Sequence, residues 1–281
     1  MQPVRRSFPR KPSFAKAAEV SPAAKTSWEP VASWYKGYLN KEDTFQEKII
    51  FPGALRLLAP KPEGRYLDIA CGEGAFTRLL AQGRELQVVG IDAAPSLVEA
   101  ARRRLPAGRQ GAPKRADYET LDAARIGERF EAKSFDGAAC ILALQNIEAA
   151  DDVIRGASKI LKPGAPLVIV MNHPAFRQPR QSGWGWDEAR KLQYRRVDKY
   201  LSLYSAPIQA HPGSDAKTVT WSYHRPLQAY FAALTESGFV IDGLEEWASH
   251  RTSDSGPKAR AENAAREEIP MFLALRAIKV K

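Results

Sequence analysis

Residues 66–74 read YLDIACGEG, an apolar strand signal that enters a turn of small residues. A second apolar run, VVGI at residues 88–91, ends on Asp92. Glycines in such a turn let the backbone approach one end of a ligand, and an acid about 20 residues further on can accept both ribose hydroxyls. The spacing therefore predicts a site for a nucleoside-bearing cofactor.

The flanking sequence alternates between strand and helix signals. Strands are predicted at residues 66–69, 88–92, 116–118, 135–142 and 166–171, and helices at 28–39, 45–58, from 75, from 95, 151–161 and 224–237. This alternation predicts an α/β fold with a buried, mainly parallel sheet and helices on both faces. The two final strand signals, at 239–241 and 271–275, have no strongly apolar crossover helix between them, so we expect them to pair antiparallel.

The composition is that of a water-soluble globular chain. Hydrophobic residues make up 44% of the sequence, and no apolar run approaches the roughly 20 residues that a membrane span needs. The first residues lack the apolar core of a secretory signal, so a cytoplasmic location is expected. The two cysteines, Cys71 and Cys140, have no metal-ligand spacing, so no metal site is predicted.

The positive charge is concentrated near the N-terminus. Residues 1–26 contain six basic side chains against one acid, which is half of the net charge of +10. Prolines and a low apolar content predict that residues 1–27 are disordered, as a solubilising leader rather than as an RNA-binding arm. The remaining residues, 28–281, are expected to form one domain.

The motif order resembles that of the class I S-adenosylmethionine-dependent methyltransferases. In that family the first strand and turn read like residues 67–74, an acid like Asp92 ends strand two, and an acid with a following residue resembles Asp117-Tyr118. Residues 135–146, FDGAACILALQN, resemble the fourth-strand motif, and LKPG at 161–164 precedes strand five. The resemblance implies a three-layer, Rossmann-like, seven-stranded, mostly parallel sheet with an antiparallel last strand and a lid insertion.

The resemblance also implies S-adenosylmethionine as the cofactor. Gly72 and Gly74 would leave room for its methionine part, Asp92 would hold the ribose, and Asp117 would accept from the adenine amino group. Tyr118 or Leu142 would cover the adenine ring, although packing or helix capping explains them equally well. The full set of expected cofactor contacts is Asp68, Ala70, Gly72, Gly74, Asp92, Ala93, Asp117, Tyr118, Ile141, Leu142 and Gln145.

Methyl transfer from a sulfonium is an in-line displacement, so a catalytic base is optional. His173 is the first candidate because it directly follows strand five, and its alternative role is a hydrogen-bonded histidine beside Pro174. His211 and His224 are weaker candidates. Tyr35 could contact the sulfonium through its ring, or simply dock the first helix.

Substrate choice is assigned to an insertion at residues 174–222, which we expect to act as a lid. Its candidate contacts are Trp184 and a clamp for a carboxylate or phosphate made by Arg177, Arg180 or Arg196. Within residues 187–204 the spacing of Leu192, Val197, Leu201 and Tyr204 predicts a helix with these four residues inward. The basic residues of that helix, Arg190, Lys191, Arg195 and Lys199, would face solvent.

The leading hypothesis is a methyltransferase that acts on a small molecule, aromatic or acidic. The resemblance is greatest to the branch of the family that acts on small molecules, which includes quinone-ring and carrier-protein carboxyl methyltransferases, and it does not place the chain with either of these. One alternative is an RNA or protein methyltransferase that uses the basic tail, although nucleic acid is not the expected partner. Another is an NAD-dependent oxidoreductase, whose fingerprint requires a third glycine where this chain has Thr77. The last alternative is a protein that binds the cofactor without catalysing a reaction.

Overall fold

The computed structural model describes residues 28–29, 43–83, 85–105, 116–209 and 219–280. The predicted N-terminal tail lies outside these ranges, as do Tyr35, His211 and most of the first predicted helix. In the ranges described, no helix is both long enough and apolar enough to cross a membrane.

A seven-stranded sheet forms the centre of the molecule. Its strands are β1 (Arg65–Ile69), β2 (Gln87–Asp92), β3 (Ala116–Thr120), β4 (Gly137–Ile141), β5 (Pro166–Asn172), β10 (Phe239–Trp247) and β11 (Phe272–Lys279). The order across the sheet is β10-β11-β5-β4-β1-β2-β3, and β11 runs antiparallel to both of its neighbours while the other pairs are parallel. The predicted fold class and the antiparallel pairing of the last two strands are confirmed.

Helices cover both faces of the sheet. They are α1 (Phe51–Leu58), α2 (Ala75–Ala81), α3 (Pro95–Arg103), α4 (Ile126–Arg129), α5 (Ala150–Ile160), α6 (Leu227–Glu236) and α7 (Ala259–Glu268). Leu67 and Ile69 of β1 pack with the residues of α4, α5 and α6. Tyr66, on the opposite face of the same strand, packs with α1 and α2. Because both faces are buried, strands such as β5 are apolar along most of their length.

The insertion consists of two β-hairpins rather than a helix. Strands β6 (Ser182–Asp187) and β7 (Leu192–Val197) form the first, and β8 (Tyr204–Gln209) and β9 (Val219–His224) form the second. The predicted helix over 187–204 is wrong, and Leu192, Val197 and Leu201 are exposed. The segment forms a strand, in keeping with the alternating pattern Trp184-Gly185-Trp186, rather than a helix. Gly185 leaves space for the ring of Tyr194 on the paired strand.

The helix predicted from residue 224 also begins later than expected. Pro226 lies at its N-cap and Leu227 is its first residue. His224 is instead the last residue of β9. Residue 225 precedes a proline and is therefore biased away from helical backbone, which explains the boundary.

Candidate active site at the carboxyl edge of the sheet

The turn after β1 and the acid at the end of β2 contact each other directly. The Gly72 N–H donates to Asp92 Oδ2 at 2.9 Å, and the Ala94 N–H donates to Asp92 Oδ1 at 2.9 Å. Strands β1 and β2 are parallel neighbours, so their carboxyl ends meet at one edge. The carboxyl group is 8% exposed, and burial raises its pKa. Each oxygen retains a lone pair that can accept from a ligand hydroxyl.

The backbone at this edge is strained. Ala70 has φ +57°, Gly72 +56° and Gly74 +75°, which together turn the chain sharply back over the end of β1. Leu142, just after the neighbouring strand β4, has φ +54°. Non-glycine residues with positive φ cost free energy and concentrate at ligand sites, so Ala70 and Leu142 mark the edge between β1 and β4 as a candidate site.

Asp68 is a buried carboxyl one residue before the end of β1. The Thr77 hydroxyl donates to its Oδ2 at 2.6 Å. Burial, together with the negative charge of Asp92, raises the pKa of Asp68 to about 7, although the hydrogen bond from Thr77 acts in the opposite direction. Thr77 stands where a dinucleotide-binding turn would have its third glycine, and in this chain its hydroxyl holds an acid. The site can therefore take up or release a proton near neutral pH.

Tyr118 lies beneath the glycine turn. It is 2% exposed, and its hydroxyl donates to the Gly74 carbonyl oxygen at 3.2 Å. A Cβ placed on Gly74 would stand 2.6 Å from Tyr118 Cε1, and Gly90 leaves similar space for the same ring. The structure therefore favours the packing role for Tyr118 over stacking on a ligand base.

Asp117 is not brought to the site. It is exposed and pairs with Val89, whereas Asp92 pairs with Thr120, three residues further along β3. At about 3.3 Å per residue, Asp117 stands about 10 Å below the edge. Its side chain also points to the face opposite Tyr118, because successive residues of a strand alternate. The predicted contact between Asp117 and adenine would require a different register between β2 and β3.

The turn after β4 supplies an unpaired acceptor. Gln145, in the short 3₁₀ turn Leu144–Asn146, donates from Nε2 to the Leu142 carbonyl oxygen at 2.9 Å. Its Oε1 is buried and has no hydrogen-bond partner among the described residues. Ile141 and Leu142 are partly exposed at this strand end, and Ala93 is partly exposed beside Asp92. A bound ligand with a donor at this point would satisfy the free Gln145 oxygen.

His173 is fully engaged by the protein. Its Nδ1 accepts from the Ala175 N–H at 3.2 Å, so its proton is on Nε2, which lies 2.7 Å from Glu246 Oε1. Burial lowers the pKa of His173, although Glu246 acts in the opposite direction. With both nitrogens occupied, the ring has no lone pair for an acceptor proton, so the structure favours the hydrogen-bonded alternative over the catalytic one.

Replacing His173 with Asn is therefore expected to affect stability rather than cofactor binding. Loss of the bond to Glu246 and of the contact with Phe176 should lower the free energy of unfolding by about 1–2 kcal/mol. Urea unfolding and a titration with S-adenosylhomocysteine measure the two effects. A variant of normal stability with strongly impaired cofactor binding would contradict the structural role.

The β8–β9 hairpin packs against the turn after β4. The Ser222 hydroxyl donates to the Gln145 carbonyl oxygen at 3.5 Å, and Arg225 donates to the carbonyl oxygens of Ile147 and Glu148. Since β1 and β4 are parallel neighbours, this hairpin lies at the same edge of the sheet as the glycine turn. Ser222 and Arg225 were not identified from the sequence, because only the pairing of distant segments gives them a role.

His224 lies at the end of this hairpin and has a free nitrogen. Its Nε2 is 2.7 Å from the Tyr200 carbonyl oxygen and so holds the proton. The ring stacks on Tyr204 with a centroid distance of 4.8 Å, and burial lowers its pKa. No described residue forms a hydrogen bond with Nδ1. A neutral imidazole with a free Nδ1 can accept a proton, which His173 cannot.

The basic residues of the insertion separate into two groups. Arg180 is exposed, and Arg196 is 63% exposed and pairs with Asp198. Arg177 and Arg195 are instead half-buried on the ring of Trp184. The prediction that Arg195 faces solvent is wrong, because Arg195 is the cross-strand partner of Trp184 and lies on the same side of the hairpin.

Among the described residues, no group of three or more His, Cys, Asp or Glu side chains could hold a metal ion. The polar groups at the edge of the sheet are instead backbone N–H groups, carboxylates and an amide. These groups suit a nucleoside with hydroxyl and ammonium groups, and they fit the cofactor that the sequence motifs imply.

Comparison with known proteins gives the same family. A family model described as a methyltransferase domain matches residues 67–167, from the middle of β1 to the start of β5. A structure of an S-adenosylmethionine-dependent methyltransferase from Mesorhizobium loti superposes with a TM-score of 0.63 at 28% identity, covering 81% of this chain and 96% of that chain.

Two sequence relatives share the same core. An uncharacterized methyltransferase, AN0656, from Emericella nidulans is 27% identical over 186 residues, which are 57% of this chain and 64% of that protein. The 2-phytyl-1,4-naphtoquinone methyltransferase of Synechococcus elongatus is 33% identical over 134 residues, 46% of this chain and 56% of that protein. This chain therefore spans less than two thirds of the length of either relative. With the glycine turn, the strand-end acid and the sheet order in place, the chain carries a methyltransferase domain and has the fold of the class I S-adenosylmethionine-dependent methyltransferases.

Proposed function

We propose that this protein transfers the methyl group of S-adenosylmethionine to a small-molecule acceptor. The observation that carries this proposal is the Asp92 carboxylate, held by the N–H groups of Gly72 and Ala94 beside a strained glycine turn. In this proposal Asp92 binds the ribose hydroxyls, and the turn from Ala70 to Gly74 receives the methionine portion. When bound, the cofactor supplies an electrophilic methyl group on sulfur.

The acceptor is proposed to be aromatic and to enter beneath the insertion. The relatives support this, because the names of several refer to naphthoquinone, ubiquinone or menaquinone substrates or pathways. Residues 174–222 would then act as the lid of a domain formed by residues 28–281, with residues 1–27 as a separate tail. A cytoplasmic location is part of the same proposal.

His224 is the side chain best suited to remove a proton from the acceptor. Its Nδ1 is free among the described residues, and burial keeps the ring neutral. A base is needed only when the acceptor is a hydroxyl or an acidic carbon. We therefore assign this task to His224 rather than to His173, whose nitrogens are both bonded.

Cofactor binding should depend on pH through Asp68. The pKa of this carboxyl is raised to about 7, so below that pH it is protonated and cannot pair with the ammonium group of the cofactor. A bound cation lowers the pKa, so the affinity for S-adenosylhomocysteine should fall by up to about tenfold per pH unit as the pH drops below 7. Calorimetric titrations from pH 5.5 to 8 measure this slope. Asp68→Asn should abolish it, and an unchanged slope in that variant would assign the proton to another group.

The stability of the unliganded fold should have the opposite dependence on pH. Native Asp68 holds its proton more tightly than the unfolded chain does, because its pKa is raised from 3.8 to about 7. Its contribution to stability is therefore complete below the unfolded value and is lost as the pH rises through about 7.

The function is tested with S-adenosylmethionine that carries a tritiated methyl group. Purified protein is incubated with cell extract separated into small molecules and macromolecules, and the label is followed into each fraction. The proposal expects label in the small-molecule fraction, and strongly reduced label when Asp92→Asn replaces the wild type at a subsaturating concentration of S-adenosylmethionine. Label confined to RNA or protein would favour the alternative in which the basic tail binds a macromolecule, and binding of NADH without S-adenosylhomocysteine would contradict both.

A further inference from the structure

Two guanidinium groups share one indole ring in the insertion. The Cζ atoms of Arg177 and Arg195 each lie 5.1 Å from the centroid of the Trp184 ring. Arg195 reaches the ring from the paired strand β7, and Arg177 reaches it from the turn after β5. Two segments that are distant in sequence thus bring two positive charges to one aromatic surface.

No described carboxylate pairs with either arginine. Burial, together with the positive charge of Arg195, lowers the pKa of Arg177 to about 10. Burial also lowers the pKa of Arg195. Half-buried like charges repel each other and lose hydration, so this arrangement costs free energy that a bound anion would recover.

Arg177 and Arg195 differ in how many hydrogen bonds they donate to the protein. Arg195 is fixed, because its Nε donates to the Phe176 carbonyl oxygen at 2.6 Å and its Nη2 donates to the Ser182 hydroxyl at 2.9 Å. The Nε of Arg177 is buried without a described partner, and none of its other nitrogens donates to a described residue. Arg177 therefore keeps its planar donor set for a ligand, on a ring that already orients it.

The cluster adjoins the candidate active site. The Arg177 N–H donates to the carbonyl oxygen of His173, the first residue after β5, and β5 pairs with β4. The next residue, Gln178, accepts from the Tyr204 hydroxyl at 3.4 Å, and Tyr204 stacks on His224. A ligand held by Arg177 would thus lie near the hairpin that covers the edge of β4.

We propose that Arg177 and Arg195, ordered on Trp184, bind a carboxylate or phosphate group of the methyl acceptor. This inference rests on the proposed function, and it narrows the acceptor to an anionic molecule. Arg177 supplies the free donors, while Arg195 supplies charge and fixes the geometry. Arg180 and Arg196 take no part, because they face solvent or pair with Asp198.

The test is calorimetric titration of the full-length protein with two probes, inorganic phosphate and benzoate, at low ionic strength. We expect saturable binding of at least one probe, and the comparison shows which type of anion fits. Arg177→Met removes the charge but keeps an unbranched stem to pack on Trp184, and it should weaken binding by about tenfold or more. Arg196→Met, on β7 next to Arg195, is the matched control and should leave the affinity unchanged.

Two further measurements separate the outcomes. S-adenosylhomocysteine should bind the Arg177→Met variant normally, whereas Asp92→Asn should lose that ligand and retain the anion. Circular dichroism confirms that each variant is folded, and Arg177→Lys, which retains charge without the planar donor set, should bind with intermediate affinity. The proposal is overturned if neither probe binds the wild type saturably, or if Arg196→Met weakens binding as much as Arg177→Met does.

Discussion

Asp92→Asn is expected to weaken the binding of S-adenosylhomocysteine by about 100-fold, the equivalent of two charge-assisted hydrogen bonds. The amide offers one oxygen where the carboxylate offers two. Its NH₂ group would then face either the Gly72 N–H or the Ala94 N–H, both of which now donate to Asp92. The substitution therefore removes the ribose acceptor and loosens the turn together. Isothermal titration calorimetry measures the affinity directly.

Asp117→Asn is the matched control for this experiment. Asp117 is an exposed acid on the neighbouring strand, three residues below the register position of Asp92. The Asp117→Asn substitution should therefore leave the affinity for S-adenosylhomocysteine within about twofold of wild type, as expected for a surface substitution. Equal losses in the two variants would mean that both acids contact the nucleoside, and the placement of Asp117 would then be wrong.

Gly74→Ala is expected to lower the free energy of unfolding by about 3 kcal/mol, from backbone strain and overpacking together. The residue has φ +75°, and the added methyl group would stand 2.6 Å from Tyr118 Cε1 and still closer to the Tyr118 hydroxyl. Tyr118 is buried, with 2% of its surface exposed, so its ring cannot swing out into solvent without losing that burial. The displaced ring would shift the turn, so cofactor affinity should fall as well. Urea unfolding followed by circular dichroism gives the stability.

Gly83→Ala separates the two causes. Gly83 has a similar φ of +68°, but no atom lies within 4 Å of the position its Cβ would take. The variant should lose only the strain of about 1 kcal/mol and bind the cofactor normally. If Gly83→Ala and Gly74→Ala lose equal stability, contact with Tyr118 is not what requires glycine at position 74.

The part of the fold that sequence reasoning predicted best is the part with local signals. Strand β1 is a short apolar run that ends at Ile69, just before the glycine turn, and β2 is one that ends on Asp92; both boundaries follow from burial on two faces and from turn chemistry. The antiparallel pairing of β10 and β11 followed from the weak apolar face between them, and α7 buries only Ala265. These features depend on neighbours in the sequence.

The insertion shows where local signals fail. Leu192 and Val197 have a spacing compatible with a helix, but both are exposed on β7, since the hairpin is organised by Trp184, Gly185 and their cross-strand partners. An alternating pattern of aromatic residue and glycine is the signal that could have revealed the strand. A few apolar residues at helical spacing, without helix caps, do not distinguish a helix from a strand.

The roles of the individual histidines could not be predicted from the sequence, for a different reason. His173 has the expected position after β5, yet Glu246 and the Ala175 N–H occupy its nitrogens. Nε2 of His224 donates to the Tyr200 carbonyl oxygen, and its Nδ1 has no hydrogen-bond partner in the part of the chain that the structure describes. Position along a strand is readable from the sequence, whereas hydrogen bonds to residues more than 20 positions away are set by tertiary packing.

A crystal structure of the protein with S-adenosylhomocysteine would show whether Asp92 holds the cofactor. We expect both ribose hydroxyls within hydrogen-bond distance of the Asp92 carboxylate, with the amino acid portion of the ligand over the turn from Ala70 to Gly74. A nucleoside bound elsewhere on the molecule, or a ribose that does not contact Asp92, would contradict it.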